Sequence, residues 1–171
     1  KPFKNNRKDV TYHHCPTEYE LLTSFINYWM QDVPDVITGW NIQLFDIPYI
    51  CKRLERVLGE KLMKRFSPWG LVSENEIHIM GRTHIVFDVG GVTQLDYIDL
   101  YKKFTYKAQE SYRLDYIAKV ELGQQKLDHS EFETFKDFYT NGWQKFIEYN
   151  IIDVELVDRL EDKMKLIELA L

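Results

Sequence analysis

The chain has 171 residues, of which 44% are hydrophobic and 15% aromatic; that is enough apolar side chain to bury a core and excludes an intrinsically disordered segment. Its formal net charge of -5 excludes a domain that holds nucleic acid by overall basic charge, so a DNA ligand would need cations to offset the repulsion. No apolar run reaches the ~18 residues of a membrane helix, no signal peptide opens the chain, and Cys15 and Cys51 fit no metal or redox spacing, which together suggest a soluble intracellular protein with reduced thiols and no membrane partner.

Residues 1–12 are polar and basic and read as a loop or the tail of a preceding strand. Thr17 followed by Glu20 is a capping-box pattern, and Leu21, Leu22, Phe25, Ile26 and Trp29 recur at helical spacing. A helix is therefore expected over residues 17–32, ended by Pro34. Residues 36–40 form a short β-branched run between turn formers, as a buried strand does. Asp46-Ile47-Pro48 then places a carboxylate at a helix start with proline in the first turn. That helix should end at Gly59, with Tyr49, Ile50, Leu54, Val57 and Leu58 as its apolar face, and residues 60–66 should add a short helical turn. Ile77, Ile79, Ile85 and Phe87 flank Gly81-Arg82 and suggest a hairpin with glycine at the first turn position. Gly90-Gly91 breaks it, and residues 92–100 resume as a strand or extended segment. Residues 114–120, 130–139 and 143–171 read as helices, the last long enough to project beyond a compact domain. The order is mixed α/β and by itself names no fold.

Lys1 is not a methionine, and residues 166–171 stop inside an apolar helical pattern, so the chain is expected to be a piece of a longer polypeptide. Chemistry is suggested at two places. Tyr149 and Asp153 are four apart on a helix and project from one face, offering a phenol and a carboxylate to one small volume. Asp46 adds a carboxylate at a strand–helix junction. Such a set suits half of a two-metal hydrolytic site, in which paired cations position water and stabilise a phosphoryl transition state. Plainer explanations exist for each residue singly: aspartate caps helices well, tyrosine is often a core aromatic, and an isolated acid is usually solvated. His13, His14 and Cys15 are adjacent on an extended chain and point in opposite directions, which makes a poor metal site. Asp96, Asp99 and Asp115 are expected to make structural hydrogen bonds, and the basic clusters at 1–8, 52–56, 61–65 and 102–107 read as solvated faces.

The text Thr38-Gly39-Trp40-Asn41-Ile42-Gln43-Leu44-Phe45-Asp46-Ile47-Pro48-Tyr49 resembles the second exonuclease motif of family B DNA polymerases, in which an asparagine precedes a Phe-Asp-x-Pro element. Tyr149-Asn150-Ile151-Ile152-Asp153 resembles the third motif, tyrosine-x-x-x-aspartate. Leu95-Asp96-Tyr97-Ile98-Asp99-Leu100-Tyr101-Lys102-Lys103-Phe104 and Ser111-Tyr112-Arg113-Leu114-Asp115-Tyr116-Ile117 are also similar to the proofreading domain, as found in polymerases of T-even-like bacteriophages. The likeness runs from about Thr11 onward.

The resemblance implies an RNase-H-like exonuclease fold, a mixed sheet flanked by helices, here with its N-terminal strands missing and a long C-terminal helix leading toward the polymerase part. It implies metal-dependent 3′→5′ hydrolysis with Mg²⁺ or Mn²⁺, two ions in the intact site, one held by Asp46 and the other by Asp153. Tyr149 would orient the attacking water, and Asn41 and Phe45 would lie against the substrate strand. The 77–87 hairpin would help to separate the primer end. Implied partners are primer-template DNA with a single-stranded 3′ end, the remaining polymerase domains, and sliding clamp and replisome proteins through the full-length polymerase, in the cytoplasm of an infected bacterial cell. The family's first motif, an aspartate-x-glutamate pair on an apolar strand, has no counterpart in residues 1–20. The isolated chain is therefore expected to bind Mg²⁺ weakly and cleave poorly. The alternative is a non-catalytic module that handles DNA or contacts other polymerase domains.

Overall fold

The Thr17 hydroxyl accepts the Glu20 backbone N–H at 3.2 Å, so the capping pattern does start the first helix, α1 (Glu18–Trp29), which ends in a turn before Pro34. The computed structural model describes residues 1–124 and 131–171 and divides into two compact units, Cys15–Leu100 and Lys1–His14 with Tyr101–Leu171.

In the first unit, α1 is followed by β1 (Val36–Gly39), α2 (Asp46–Leu58), α3 (Glu60–Met63) with a 3₁₀ turn (Lys64–Phe66), β2 (Val72–Ile79), β3 (Arg82–Val89) and β4 (Thr93–Asp96). The strands make two separate pairs rather than one mixed sheet among the described residues: β1 runs parallel to β4, with Gly39 opposite Asp96, and β2 runs antiparallel to β3. α2 buries Ile47, Cys51 and Leu54, a stripe of i, i+4, i+7 spacing. This phase turns Tyr49 outward, so Tyr49, expected on the apolar face, is exposed, while Ile50, Val57 and Leu58 flank the stripe. The stripe meets Leu22 and Ile26 of α1, Met63, Phe66, and Phe87 and Val89 of β3. Each such aliphatic side chain contributes roughly 1.5–3 kcal/mol on full burial. Burial also pushes the Cys51 thiol up to about 12, so it stays protonated and packs as an apolar group.

The hairpin differs in detail from its expected form. The turn is Met80-Gly81, with φ of 49° and 75°, so glycine holds the second turn position, and the paired strands reach back to Val72. Positive φ at both central residues marks the type I′ turn, one of the two tight turns whose twist matches that of the strands; the expected glycine-first form is the other, type II′. At the hairpin base the buried Ser67 hydroxyl donates to the Gly90 carbonyl at 2.6 Å and accepts the N–H groups of Trp69 and Leu71.

The expected extended segment 92–100 is split: β4 ends at Asp96 and α4 (Tyr97–Phe104) begins at once, running across the boundary of the two units. The second unit holds α5 (Leu114–Leu122), α6 (Phe135–Asn141), α7 (Trp143–Met164) and α8 (Leu166–Ala170). α5 stops at Gly123 in the left-handed region. The helix expected over 130–139 starts later, at Phe135, where Thr134 accepts the Asp137 N–H at 3.0 Å; residue 130 lies outside the described residues. The single long helix expected over 143–171 is broken at Lys165, whose φ of 55° interrupts the helical backbone. α5 and α6 each pack on α7, and Ile117, Ala118, Phe138, Leu156 and Leu160 are buried. Buried Tyr101 donates its hydroxyl to Glu121 at 2.8 Å, and Lys163 reaches the other Glu121 oxygen at 3.0 Å. Residues 1–15 carry no regular element; Lys4 and Gln144 exchange two hydrogen bonds of 3.0 Å, which ties this stretch to α7.

Candidate functional site

In the first unit the site is a loop, residues 40–45, that carries the chain from the end of β1 into α2. Its start is crowded: a Cβ on Gly39 would meet the Ile42 Cγ2 at 2.5 Å, so only glycine lets Ile42 fold back into the core. Asn41 takes φ of 67°, a conformation that asparagine tolerates better than most residues. Its carbonyl accepts the Phe45 N–H at 3.2 Å, the Ile42 carbonyl accepts the Ile47 N–H at 3.0 Å, and the Phe45 carbonyl accepts the Tyr49 N–H at 3.0 Å. These bonds tighten the loop into the first turn of α2.

Opposite the loop, at the end of β4, sits Asp96. One of its carboxylate oxygens accepts the N–H of Asn41 at 2.8 Å and of Ile98 at 3.2 Å, and the other accepts the N–H of Gln43 at 3.0 Å. Burial raises the Asp96 carboxyl above the ordinary aspartate value, the three backbone donors pull it down, and Asp99 pushes it up again. The structural hydrogen bonding expected of Asp96 is thus present.

Asp46 is the first residue of α2 and keeps exposed surface at its side chain. The capping position belongs to Phe45, whose side chain makes no cap hydrogen bond, so Asp46 is not the helix cap in its plainer reading. Protein packed around its carboxyl raises it above the usual range, its own backbone N–H lowers it, and the charge of Asp96 raises it. Two like charges in one neighbourhood are relieved by a cation. Phe45 and Tyr49 flank Asp46 as exposed rings, nearly parallel at 9° with centroids 6.4 Å apart.

In the second unit, Tyr149 and Asp153 both lie on α7, half-buried and one turn apart, as their spacing predicts. The Tyr149 ring stands edge-on to Phe138 at 5.7 Å and 88°. Phe138 also meets Phe132, Phe135 and Phe146, so an aromatic cluster fixes the phenol from behind. Two residues after Asp153, Glu155 pairs with Arg7 and Arg159.

The structure therefore brings Asn41, Phe45 and Asp46 together in one unit and Tyr149 and Asp153 together in the other. Among the described residues no three His, Cys, Asp or Glu side chains gather as a metal cage, and His13, His14 and Cys15 form none. The chemistry of the donor set fits a hydrated divalent ion, because Mg²⁺ is commonly held by one or two carboxylates with the remaining positions taken by water and substrate phosphate. Asp46 is suited to this, since its oxygens are not consumed by the loop as those of Asp96 are. The tie between Asp96 and the loop has no signal in sequence spacing, because it joins residues 53 and 55 apart.

The family description DNA polymerase family B, exonuclease domain, matches residues 2–117, a range that includes Asn41, Phe45, Asp46 and Asp96. The chain is 38% identical over 162 residues to the DNA-directed DNA polymerase of Escherichia phage RB69 and 39% identical over 162 residues to that of Enterobacteria phage T4, covering 95% of this chain and 18% of each relative. It is 30% identical over 160 residues to the DNA polymerase of guinea pig cytomegalovirus, covering 87% of the chain and 14% of that protein. The chain thus spans less than a fifth of the length of these curated relatives. No described helix is long and apolar enough to cross a membrane.

Proposed function

The chain belongs to the exonuclease domain family of family B DNA polymerases, and on that premise we propose that it is the proofreading part of such a polymerase, hydrolysing mispaired nucleotides from the 3′ primer end. The observation that carries this reading is the Asn41–Asp46 stretch: it lies inside the residues the family matches and is folded so that one carboxylate is spent on the loop and another, Asp46, is left facing outward.

In this reading the parallel pair β1–β4 belongs to an RNase-H-like sheet, and Asp46 and Asp153 are the acids that would each hold a divalent cation, Mg²⁺ or Mn²⁺. When bound, two such ions supply a water of lowered pKa and charge stabilisation at the leaving 3′ oxygen. The protein's own residues do the rest. Tyr149, backed by Phe138, keeps its hydroxyl where it orients the attacking water. Asn41 and the exposed ring of Phe45 hold the terminal nucleotides, the ring by stacking, which is tolerant of sequence. The β2–β3 hairpin helps to part the primer end from its template. The substrate is a frayed single-stranded 3′ end of primer-template DNA, and the wider partners are the other polymerase domains, a sliding clamp and replisome proteins, in the cytoplasm of an infected cell.

The test is release of nucleotides from a 3′-labelled single-stranded oligonucleotide in Mg²⁺ or Mn²⁺. It compares the chain alone with the chain joined to an upstream apolar strand bearing an aspartate-x-glutamate pair. The joined protein is expected to release nucleotides, and Asp46→Ala or Asp153→Ala should each lower the rate by roughly a thousandfold, the scale of several kcal/mol of transition-state charge stabilisation. No release from the joined protein, or release that survives both substitutions, would overturn the exonuclease and leave a DNA-handling scaffold.

A further inference from the structure

We propose that Asp96 is a positioning residue of this site: it contributes no reacting group but, by gripping two alternate N–H groups of the Asn41–Asp46 loop, it sets where the loop presents Asn41 and Asp46. The proposal rests on the exonuclease reading above.

Asp96 is only 8% exposed, its burial and the charge of Asp99 oppose its ionisation, and its own charge in turn raises the carboxyl of Asp46. A carboxylate is costly in such a place unless hydrogen bonds satisfy it. The bonds that do so are not scattered. The N–H groups of Asn41 and Gln43 go to different oxygens of the same carboxylate, so the loop is clamped on both sides of Ile42. Between these points the Ile42 side chain is buried, and its carbonyl receives the N–H of Ile47 in the first turn of α2. The third donor, Ile98, belongs to α4, and Asp96 itself is paired in register with Gly39 of β1. A single side chain thus links the end of β4, the start of α4 and the approach to α2.

The clamp also explains how Asn41 stays at positive φ. That backbone state is sparsely populated for residues other than glycine and persists where its surroundings over-determine it. Here the hydrogen bond from the Asn41 N–H to Asp96 and that from the Phe45 N–H to the Asn41 carbonyl hold it from both sides. Asp46 follows Gln43 by three residues with no glycine between them, so a shift of the clamp is carried into the helix start.

The experiment is solution NMR on the chain and on its Asp96→Asn variant. Asparagine keeps one carbonyl acceptor but turns an NH₂ toward a backbone N–H, so one half of the clamp is lost. In the unmodified chain, couplings through the hydrogen bonds are expected between the amide nitrogens of Asn41 and Gln43 and the Asp96 carboxylate carbon. In Asp96→Asn, amide exchange of the loop should accelerate by roughly tenfold or more, as expected for a lost bond to a charged group. The Mn²⁺ concentration that broadens the Ile47 amide signal should rise by about tenfold, the usual scale for removing a partner behind a metal ligand. Amides of the β2–β3 pair should keep their protection, which separates loosening of the loop from unfolding. Asp99→Asn, which removes a neighbouring charge but no loop hydrogen bond, should leave loop exchange unchanged.

Absence of the couplings, or unchanged loop exchange in Asp96→Asn, would overturn the clamp even if metal binding changed. Faster loop exchange with an unaltered Mn²⁺ midpoint would overturn the positioning role. Failure of Mn²⁺ to broaden Ile47 in the unmodified chain would overturn the assignment of Asp46 as a metal ligand, an outcome distinct from failure of Asp96 because it appears before any substitution.

Discussion

The two units place their candidate catalytic groups by different means. Asp46 depends on pairing between segments more than fifty residues apart, with Asp96 reaching back to Asn41 and Gln43. Tyr149 and Asp153 depend on one helix, α7, whose periodicity alone puts them one turn apart, with the Phe138 cluster fixing the ring. The difference teaches where each half is vulnerable. A side chain set by helical register survives a packing defect so long as the helix persists, whereas a loop set by a distant carboxylate fails when one contact is lost.

Three substitutions probe that contrast. Phe138→Ala removes a fully buried ring and is expected to cost about 3–5 kcal/mol in urea unfolding, yet circular dichroism of the folded variant should still show the helix that carries Tyr149 and Asp153. Loss of that helix along with the stability would break the comparison. Gly39→Ala pushes a methyl against Ile42 at the head of the loop and should cost about 1–3 kcal/mol, with the amide signals of Asn41 and Gln43 shifting most. A variant as stable as the parent with unmoved loop signals would mean that the loop is less constrained than its geometry.

The smallest effect is expected at Asp46. Its folded-state carboxyl is raised, so the folded protein holds this proton more tightly than the unfolded chain does, and stability present at low pH is lost as pH rises through the raised value. Asp46→Asn should therefore stabilise the protein at neutral pH by no more than about 0.5 kcal/mol once solvent screening is allowed for. The gain should vanish below about pH 4, where the parent is protonated as well. Melting curves at the two pH values check this, and a destabilised variant at neutral pH would assign Asp46 a structural role instead.

Much of the local order was legible in the residues themselves. Thr17 and Glu20 announce a helix start, Gly59 and Gly123 mark two helix ends, and the spacing of Tyr149 and Asp153 sets them on one face. Other features turn on forces that short-range patterns do not carry. Tyr49 looks apolar enough to face inward, but the phase of α2 is fixed by Ile47, Cys51 and Leu54, which leaves its ring outside. Lys165 is an ordinary helix former, and nothing in its identity signals the left-handed backbone that separates α7 from α8. The turn at Met80-Gly81 moved by one residue from its expected place because pairing of the whole of β2 with β3 decides which residues sit at the bend. That Asp96 makes structural hydrogen bonds was readable, but its partners Asn41 and Gln43 were not, since they lie 55 and 53 residues away in sequence.

The pairing pattern has a kinetic consequence. Zipping β2 to β3 closes a two-residue loop, an event on the scale of about 1–10 μs. Bringing Thr38 to the Leu95 carbonyl must close a span of 57 residues first, with the entropy of that closure opposing it. Pulse-labelled hydrogen exchange during refolding should accordingly find hairpin amides protected earlier than those of Asn41 and Gln43. The surroundings of the outward-facing acid are then expected to assemble after the hairpin has zipped.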